Sequence, residues 1–427
     1  MQDKIVLRTT RDGKVFDRWC DIDVDLKLNS VLSTAKFSTF VDGIDDEHRK
    51  LFLQGACTEC TVEVLDELTE KYDPIITGII INTGLSIQKE PKKWEVYVMS
   101  KSGIIANVTL PPIISSMQFA NTSLTNISKI ICDYYGLELF VHDGAKDDSN
   151  RRYKEAIAIV SNGKRYQKPT ESEVEEAEME EVTKEFKKLQ AKEGEPCYSF
   201  LQRLAKERGI TVAHDNRGRV MLYKILNVIE ATSEVTEDDR HIQMSMSPNW
   251  QQMHSHITVK CESPTDEDES KETGSCEYTA VSPFHKGMVL LKPYAKADGN
   301  GNFSESDFAL YKQPTTVLAG NIEPSELKKY ADSLICKEVR NFPLKLEWEG
   351  ILLPDLRNGG LRQVRAGFFL YCESKTLNLK RTQMVIDEIS FSKKAKEEFY
   401  RTEATCIHPC YYTGVIPNET IFGNGKG

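Results

Sequence analysis

No apolar run in the sequence is long enough to cross a bilayer as a helix. The longest stretch, Ile75 to Leu85, is broken by Thr77, Gly78, Asn82 and Gly84 and falls well short of the ~20 residues a span requires. Helical membrane insertion is therefore excluded. Basic residues are not in excess either: 55 Lys+Arg against 65 Asp+Glu leave a formal net charge of -10. Such a balance excludes a surface that grips phosphates all round, and no sequence-specific nucleic-acid binding is expected. The opening residues Met1-Gln2-Asp3-Lys4 lack the charged and apolar regions of a secretory leader, and Cys 11 is an odd count. A complete secreted disulfide framework is not expected, and synthesis in a reducing cytoplasm is. Gly-x-Ser-x-Gly, a Walker loop and a dinucleotide glycine fingerprint are all missing, which removes the common hydrolase and nucleotide-binding signatures.

What is present is enough chain for several cores. At roughly 150 residues per domain, 427 residues predict about three domains, and 40% apolar content can supply each. Residues 1–110 read as strands: Lys4 to Thr9, then Trp19 to Leu28 with Ile22, Val24 and Leu26 on one face. Ile75 to Ile81 and Trp94 to Met99 read as neighbouring strands flanking a loop with Gly84 and Pro91, with Trp94, Val96 and Val98 on one face. This region is expected to form a small β-barrel or sandwich.

From Pro111-Pro112 the pattern changes to helix followed by strand, and one template is used twice. Asn126 to Tyr135 precedes Gly136 and Leu137 to Val141, then His142-Asp143; Ser199 to Arg208 precedes Gly209 and Ile210 to Ala213, then His214-Asp215. Ile127, Ile131 and Cys132 in the first copy, and Phe200, Leu204 and Ala205 in the second, form one apolar stripe ending at a glycine suited to a left-handed cap. The second strand is expected to pair with Arg219 to Tyr223 across Asn216-Arg217-Gly218. Between the copies lies a glutamate-rich insert, 168–193, with Val174, Val182, Phe186 and Leu189 at roughly helical spacing. Strand patterns return at Ile257 to Lys260 and Val289 to Leu291, around the acidic loop Asp266 to Glu272. A long helix with Pro324 near its first turn carries Leu327, Tyr330, Ala331, Leu334, Ile335 and Val339. Strands resume at Leu344 to Trp348, Ala366 to Glu373 and Met384 to Phe391. The expected class is α+β and multidomain. Its parts are a first β-barrel (1–110), a helix-strand domain (111–225), a discontinuous second barrel (226–265 and 344–405), inserted loops and a helix (266–343), and an extended tail (406–427).

None of the chemically suggestive clusters meets the requirements of its chemistry. Cys406, His408 and Cys410 offer soft ligands, but a structural zinc site needs four and no second pair lies nearby. Cys57 and Cys60 precede a strand pattern, where no helix end lowers a thiol pKa. Asp298, Asn300, Asn302 and Ser304 alternate as in a calcium loop, yet Phe303 stands where glycine is needed and Ala309 where glutamate is needed. His142 and His214 recur at equivalent places and fit strand-end turns. Arg151-Arg152 and Lys393-Lys394 lack an interleaved aromatic platform. No catalytic, cofactor-binding or metal residue is assigned, and no cofactor is expected.

The order of segments resembles the baseplate hub proteins of contractile-tailed phages, of the Mu-like tail protein type, related to the hub half of type VI secretion spike proteins. The resembling pieces are DRWCDIDVDLKLNSVLSTAKFS, PIITGIIINTG followed by WEVYVMSKSG, TSLTNISKIICDYYGLELFV, GEPCYSFLQRLAKERGITVAHDNRGRVMLYK and NWQQMHSHITVKCE, with MVIDEISFS like the closing barrel strand. The insert at 168–193 and the loops at 262–315 depart from the family pattern. The resemblance implies a homotrimer whose two barrels per subunit make a six-fold-like ring. That ring would join the hexameric tail tube to the trimeric central spike, contact other baseplate proteins and pass DNA on infection. It implies a structural, non-enzymatic protein of the virion baseplate, assembled in the bacterial host cytoplasm, with a receptor-binding or cell-wall-degrading tail component as the alternative.

Overall fold

The structure, a computed structural model, describes residues 4–40, 58–66, 71–86, 93–110, 122–142, 191–192, 194–225, 231–261, 276–283, 289–291, 308–310, 314–319, 327–356 and 359–417. Most of the expected insert, Asp143, Cys57, the Asp266–Glu272 and Asp298–Ser304 loops, Arg151-Arg152, Pro324 and residues 418–427 lie outside them. The described chain is mostly β, arranged in several sheets.

The first strands are β1 (Lys4–Thr9), β2 (Val15–Phe16), β3 (Asp21–Lys27), β4 (Thr34–Phe40), β5 (Glu59–Asp66), β6 (Lys71–Ser86) and β7 (Lys93–Ser100). In β3 the aspartates at 21, 23 and 25 alternate with buried Ile22, Val24 and Leu26, the pattern of a strand with one wet face. Gly84, expected in a loop, stays within β6 and pairs with Glu95. A flanking glycine weakens a strand but does not end one whose backbone partner continues.

A short helix α1 (Ile104–Asn107) leads to the helix-strand region: α2 (Leu124–Tyr134), β8 (Leu139–Val141), α3 (Cys197–Glu207), β9 (Thr211–His214) and β10 (Val220–Tyr223). The repeated glycines act as expected. Gly136 and Gly209 both have φ of 65°, and the amides of Leu137 and Ile210 return to the carbonyls of Cys132 and Ala205 at 2.8 and 2.9 Å. These are matching Schellman caps. The predicted stripes Ile127, Ile131, Cys132 and Phe200, Leu204, Ala205 meet in one core. Strand β10 pairs antiparallel with β9 and parallel with β8.

The rest comprises β11 (Ser233–Thr236), β12 (Ile242–Met246), β13 (His256–Cys261), β14 (Cys276–Val281), β15 (Val289–Leu291), β16 (Phe308–Leu310), β17 (Pro314–Ala319), α4 (Leu327–Lys337), β18 (Leu344–Glu349), β19 (Leu352–Pro354), β20 (Leu361–Gln363), β21 (Phe369–Ser374), β22 (Leu379–Lys393), β23 (Arg401–Ile407) and α5 (Cys410–Thr413). Helix α4 buries Leu327, Ala331 and Ile335 in the same core as Ile257 and Val259 of β13. Where an extended tail is expected from residue 406, Cys406 and Ile407 complete β23 and Tyr412 of α5 is buried. The alternation of buried Thr402, Ala404 and Cys406 carries the strand past that boundary.

The two regions expected to be separate barrels are joined. A 13-stranded sheet runs β12-β18-β23-β22-β3-β4-β7-β6-β5-β1-β2, with β21 on β22 and β11 on β21. No closed barrel forms among the described residues. Alternation along a strand decides which face is buried and leaves its edge partners open; here β3 pairs with β22, Val24 opposite Phe391. One topology nevertheless occurs twice in this sheet. The order β3-β4-β7-β6-β5 matches β12-β18-β23-β22-β21. The long strands β6 and β22 each carry a bulge, at Ile81 and Asp387 respectively.

The helix-strand region docks on this sheet through the β9–β10 turn. Thr77 Oγ1 donates to the Asn216 carbonyl at 2.8 Å, and Asn216 Nδ2 donates to the Pro74 carbonyl at 3.1 Å. At Gly218, with φ of +75°, an added Cβ would lie 2.6 Å from the Thr77 carbonyl oxygen. Gly218→Ala is expected to cost about 1–3 kcal/mol of stability, read as a lower denaturant midpoint. Gly84→Ala, whose Cβ would meet nothing within 4 Å, is expected to leave the midpoint unchanged or slightly raised.

Candidate functional site

The side chains that suggested chemistry are mostly held by structure. Cys406 and Cys410 are buried, and burial raises both thiol pKa values. His408 is largely buried, its Nδ1 accepts from the Cys410 amide at 3.2 Å, and burial depresses its pKa to about 4. Cys60 lies inside β5, its thiol pushed up to about 12 by burial. His142 and His214 are not brought into a shared site: Nδ1 of His142 bonds the Lys224 carbonyl at 2.8 Å, and Nδ1 of His214 bonds the Ser30 carbonyl at 2.7 Å. Lys394 pairs with Asp23 at 3.0 Å. Among the described residues, no group of three His, Cys, Asp or Glu is placed to hold a metal ion.

A different residue, Asp387, is buried and bonded to several elements at once. The bulge in β22 turns Asp387 inward, where it is 1% exposed. Asn29 Nδ2 donates to its Oδ2 at 2.9 Å, and the Tyr412 hydroxyl donates to its Oδ1. Its backbone carbonyl accepts from the Leu28 amide at 2.8 Å. Arg340 Nη2 lies 3.6 Å from Oδ2 and 3.0 Å from Glu388 Oε1. Burial raises the Asp387 pKa, while the Tyr412 hydroxyl and the Arg340 charge oppose that rise. One carboxylate thus ties together the loop after β3, the second copy of the sheet topology, the turn after α4, and α5. The helix-strand region is fastened to the same loop, since the Tyr198 hydroxyl donates to the Asn29 carbonyl at 3.1 Å.

Asp387 was not singled out in the sequence. Its signal there is the pair Asp387-Glu388 set between Met384-Val385-Ile386 and Ile389, two successive acids that cannot both face water in a regular strand, so that one needs buried donors.

Two strand edges flank this junction. Strand β12 ends the main sheet, and no strand among the described residues pairs with its outer side. Among the described residues the C-terminal half of β6 pairs with β7 alone, whereas the equivalent half of β22 pairs with β23 and with β3. The wet face between these edges is polar. Gln243, Glu347, Glu403, Ser390 and Asp25 form one row across it, the two glutamates sharing Arg401 at 2.7 and 3.3 Å. Among the described residues the arrangement combines two edges without a strand partner, a polar face between them and a hydrogen-bonded centre.

No protein-family profile matches the sequence, and no curated relative matches it. Two solved structures share its architecture end to end. A 43 kDa tail protein of prophage MuSo2 from Shewanella oneidensis superposes with a TM-score of 0.64 at 16% identity, over 96% of this chain and 99% of that one. A tail protein from Neisseria meningitidis MC58 gives 0.64 at 13% identity, over 97% and 99%. The chain has the fold of these tail proteins, and the resemblance read from the order of its segments is borne out at that level.

The buried junction makes two predictions. Asp387→Ala strands the Asn29 amide and the Tyr412 hydroxyl beside Arg340, so a loss of about 3–5 kcal/mol is expected, with Asp387→Asn costing less; equilibrium unfolding checks both. His408 refuses in the folded state a proton that the unfolded chain accepts below pH 6.5. Its contribution is therefore complete above that pH and is lost as the pH falls toward 4. His408→Asn is expected to flatten the acid limb of the stability profile by up to about 3 kcal/mol, measured as the difference between variant and parent at each pH.

Proposed function

We propose that this chain is the structural hub of a contractile phage tail baseplate, a homotrimeric ring between the hexameric tail tube and the central spike. The observation that carries the reading is the doubled sheet topology. A chain holding two copies of one strand order, already joined edge to edge by β3 and β22, presents six similar units when three copies assemble. Six similar units suit contact with a six-fold tube on one side, and three chains suit a trimeric spike on the other. The shared fold with prophage tail proteins supports the same role.

In this proposal the two sets of strands take the places expected for the two barrels, and the wet face bearing Asp25, Glu347, Glu388 and Glu403 looks into the passage. Carboxylates there would repel phosphates, whereas aligned lysines would add salt-dependent contacts that slow DNA. The partners are a second and third copy of the chain, the tail tube protein, the spike and neighbouring baseplate proteins. The protein would act in the virion baseplate after assembly in the bacterial cytoplasm, and the role requires no catalysis.

Imaging of assembled tails is expected to show three copies around the axis, and light scattering of the purified chain a mass three times its 48.5 kDa. Six copies on the axis, none on it, or a passage walled with Lys and Arg would overturn the reading.

A further inference from the structure

The junction inside the chain contains the instructions for a junction between chains. Counting outward from the bulges, Asn82 pairs with Tyr97, Tyr97 with Lys36, and Lys36 with Asp23. In the second copy Glu388 pairs with Thr405, Thr405 with Lys345, and Lys345 with Ser245. Asn82 is therefore equivalent to Glu388, Leu85 to Phe391, Ser86 to Ser392, Asp23 to Ser245, and Val24 to Met246. In the existing junction Phe391 lies opposite Val24 and Ser392 opposite Asp23.

We infer that the outer edge of β12 pairs antiparallel with the C-terminal half of β6 from a second copy of this chain, with Leu85 opposite Met246 and Ser86 opposite Ser245. The inference deepens the trimeric reading above and rests on it for the number of copies, but the pairing itself is derived from the registers.

Further observations agree. The substitutions between the two junctions keep their kind, Leu for Phe, Met for Val, and Ser for Ser. Ile81, at the bulge position where Asp387 is 1% exposed, is 47% exposed, an apolar side chain left in water where the equivalent residue is covered. Strand β12, Ile-Gln-Met-Ser-Met, carries no proline or lysine, the usual guards of an edge meant to stay single. Beyond its Ile242 end lies a cleft where Leu361 and Phe399 are 69% and 47% exposed. Because the two edges differ, the contact is head to tail and must close into a ring or grow into a filament.

Directly opposed residues of antiparallel strands have Cα atoms about 4.5–5.5 Å apart, within disulfide reach. The full chain carrying Ser86→Cys and Ser245→Cys, mildly oxidised, is expected to give a covalent ladder ending at three chains. Each single variant and the parent should give no such ladder. Asp23→Cys with Ser392→Cys, the equivalent pair inside the chain, should close without joining chains. Ser245→Lys, with an unchanged circular dichroism spectrum, is expected to reduce the trimer to monomer.

A trimer by mass with no ladder overturns the pairing and leaves the hub reading standing. A ladder running well past three chains supports the pairing and overturns the three-copy ring. A monomer with no ladder, at concentrations where the control pair closes, overturns the pairing.

Discussion

The pairing of β3 with β22 is the interaction on which the rest of the structure depends. It joins residues near the start of the chain to residues near its end, and it converts two strand sets into one sheet. Backbone hydrogen bonds specify little by themselves, because any strand edge offers the same row of donors and acceptors. Asp387 supplies the specificity. A buried carboxylate without donors is strongly unfavourable, so the register is favoured where Asn29 and Tyr412 both reach the carboxylate and the Leu28 amide reaches the Asp387 backbone carbonyl. A slip of β3 by one residue would take Asn29 from the acid and turn Val24 to the wet face while Phe391 stays buried.

Much of the secondary structure was legible in the sequence because local rules are short-ranged. The two helix-glycine-strand units were readable from the spacing of Ile127, Ile131 and Cys132 and of Phe200, Leu204 and Ala205, each ending at a glycine now seen with positive φ. The alternation in β3 was equally plain. Partner choice was not legible, because alternation states which face is dry and says nothing about which edge meets which. For the same reason the sequence suggested two separate barrels, where a continuous sheet joins them. The junction residue was not legible, because a bulge, invisible to a period-two pattern, turns Asp387 inward. Cys60, Cys406 and Cys410 lie in ordinary buried surroundings that no spacing rule reveals.

The likeness to tail proteins at 16% and 13% identity fits a scaffold of this kind. Strand order, a pair of bulges and helix caps place few demands on particular side chains. A core needs apolar volume more than identity, and a polar face needs charge balance. Such an architecture can keep its path while most residues change, which is why the order of segments was more informative than any motif.

The two partners of the central pairing are made far apart in time. Asn29 and Asp387 are separated by 358 positions, and a ribosome working at about 5–20 residues per second needs roughly 20–70 s to cover that distance. Through that interval β3, paired with β4 along one edge, leaves its other edge without β22, and β12 is likewise made well before β18. Each growing chain therefore exposes an adhesive edge on the polysome, beside neighbours exposing the same edge. The acidic alternation of β3, with Asp21, Asp23 and Asp25 on one face, gives nascent chains mutual repulsion at the surface most at risk of pairing too early.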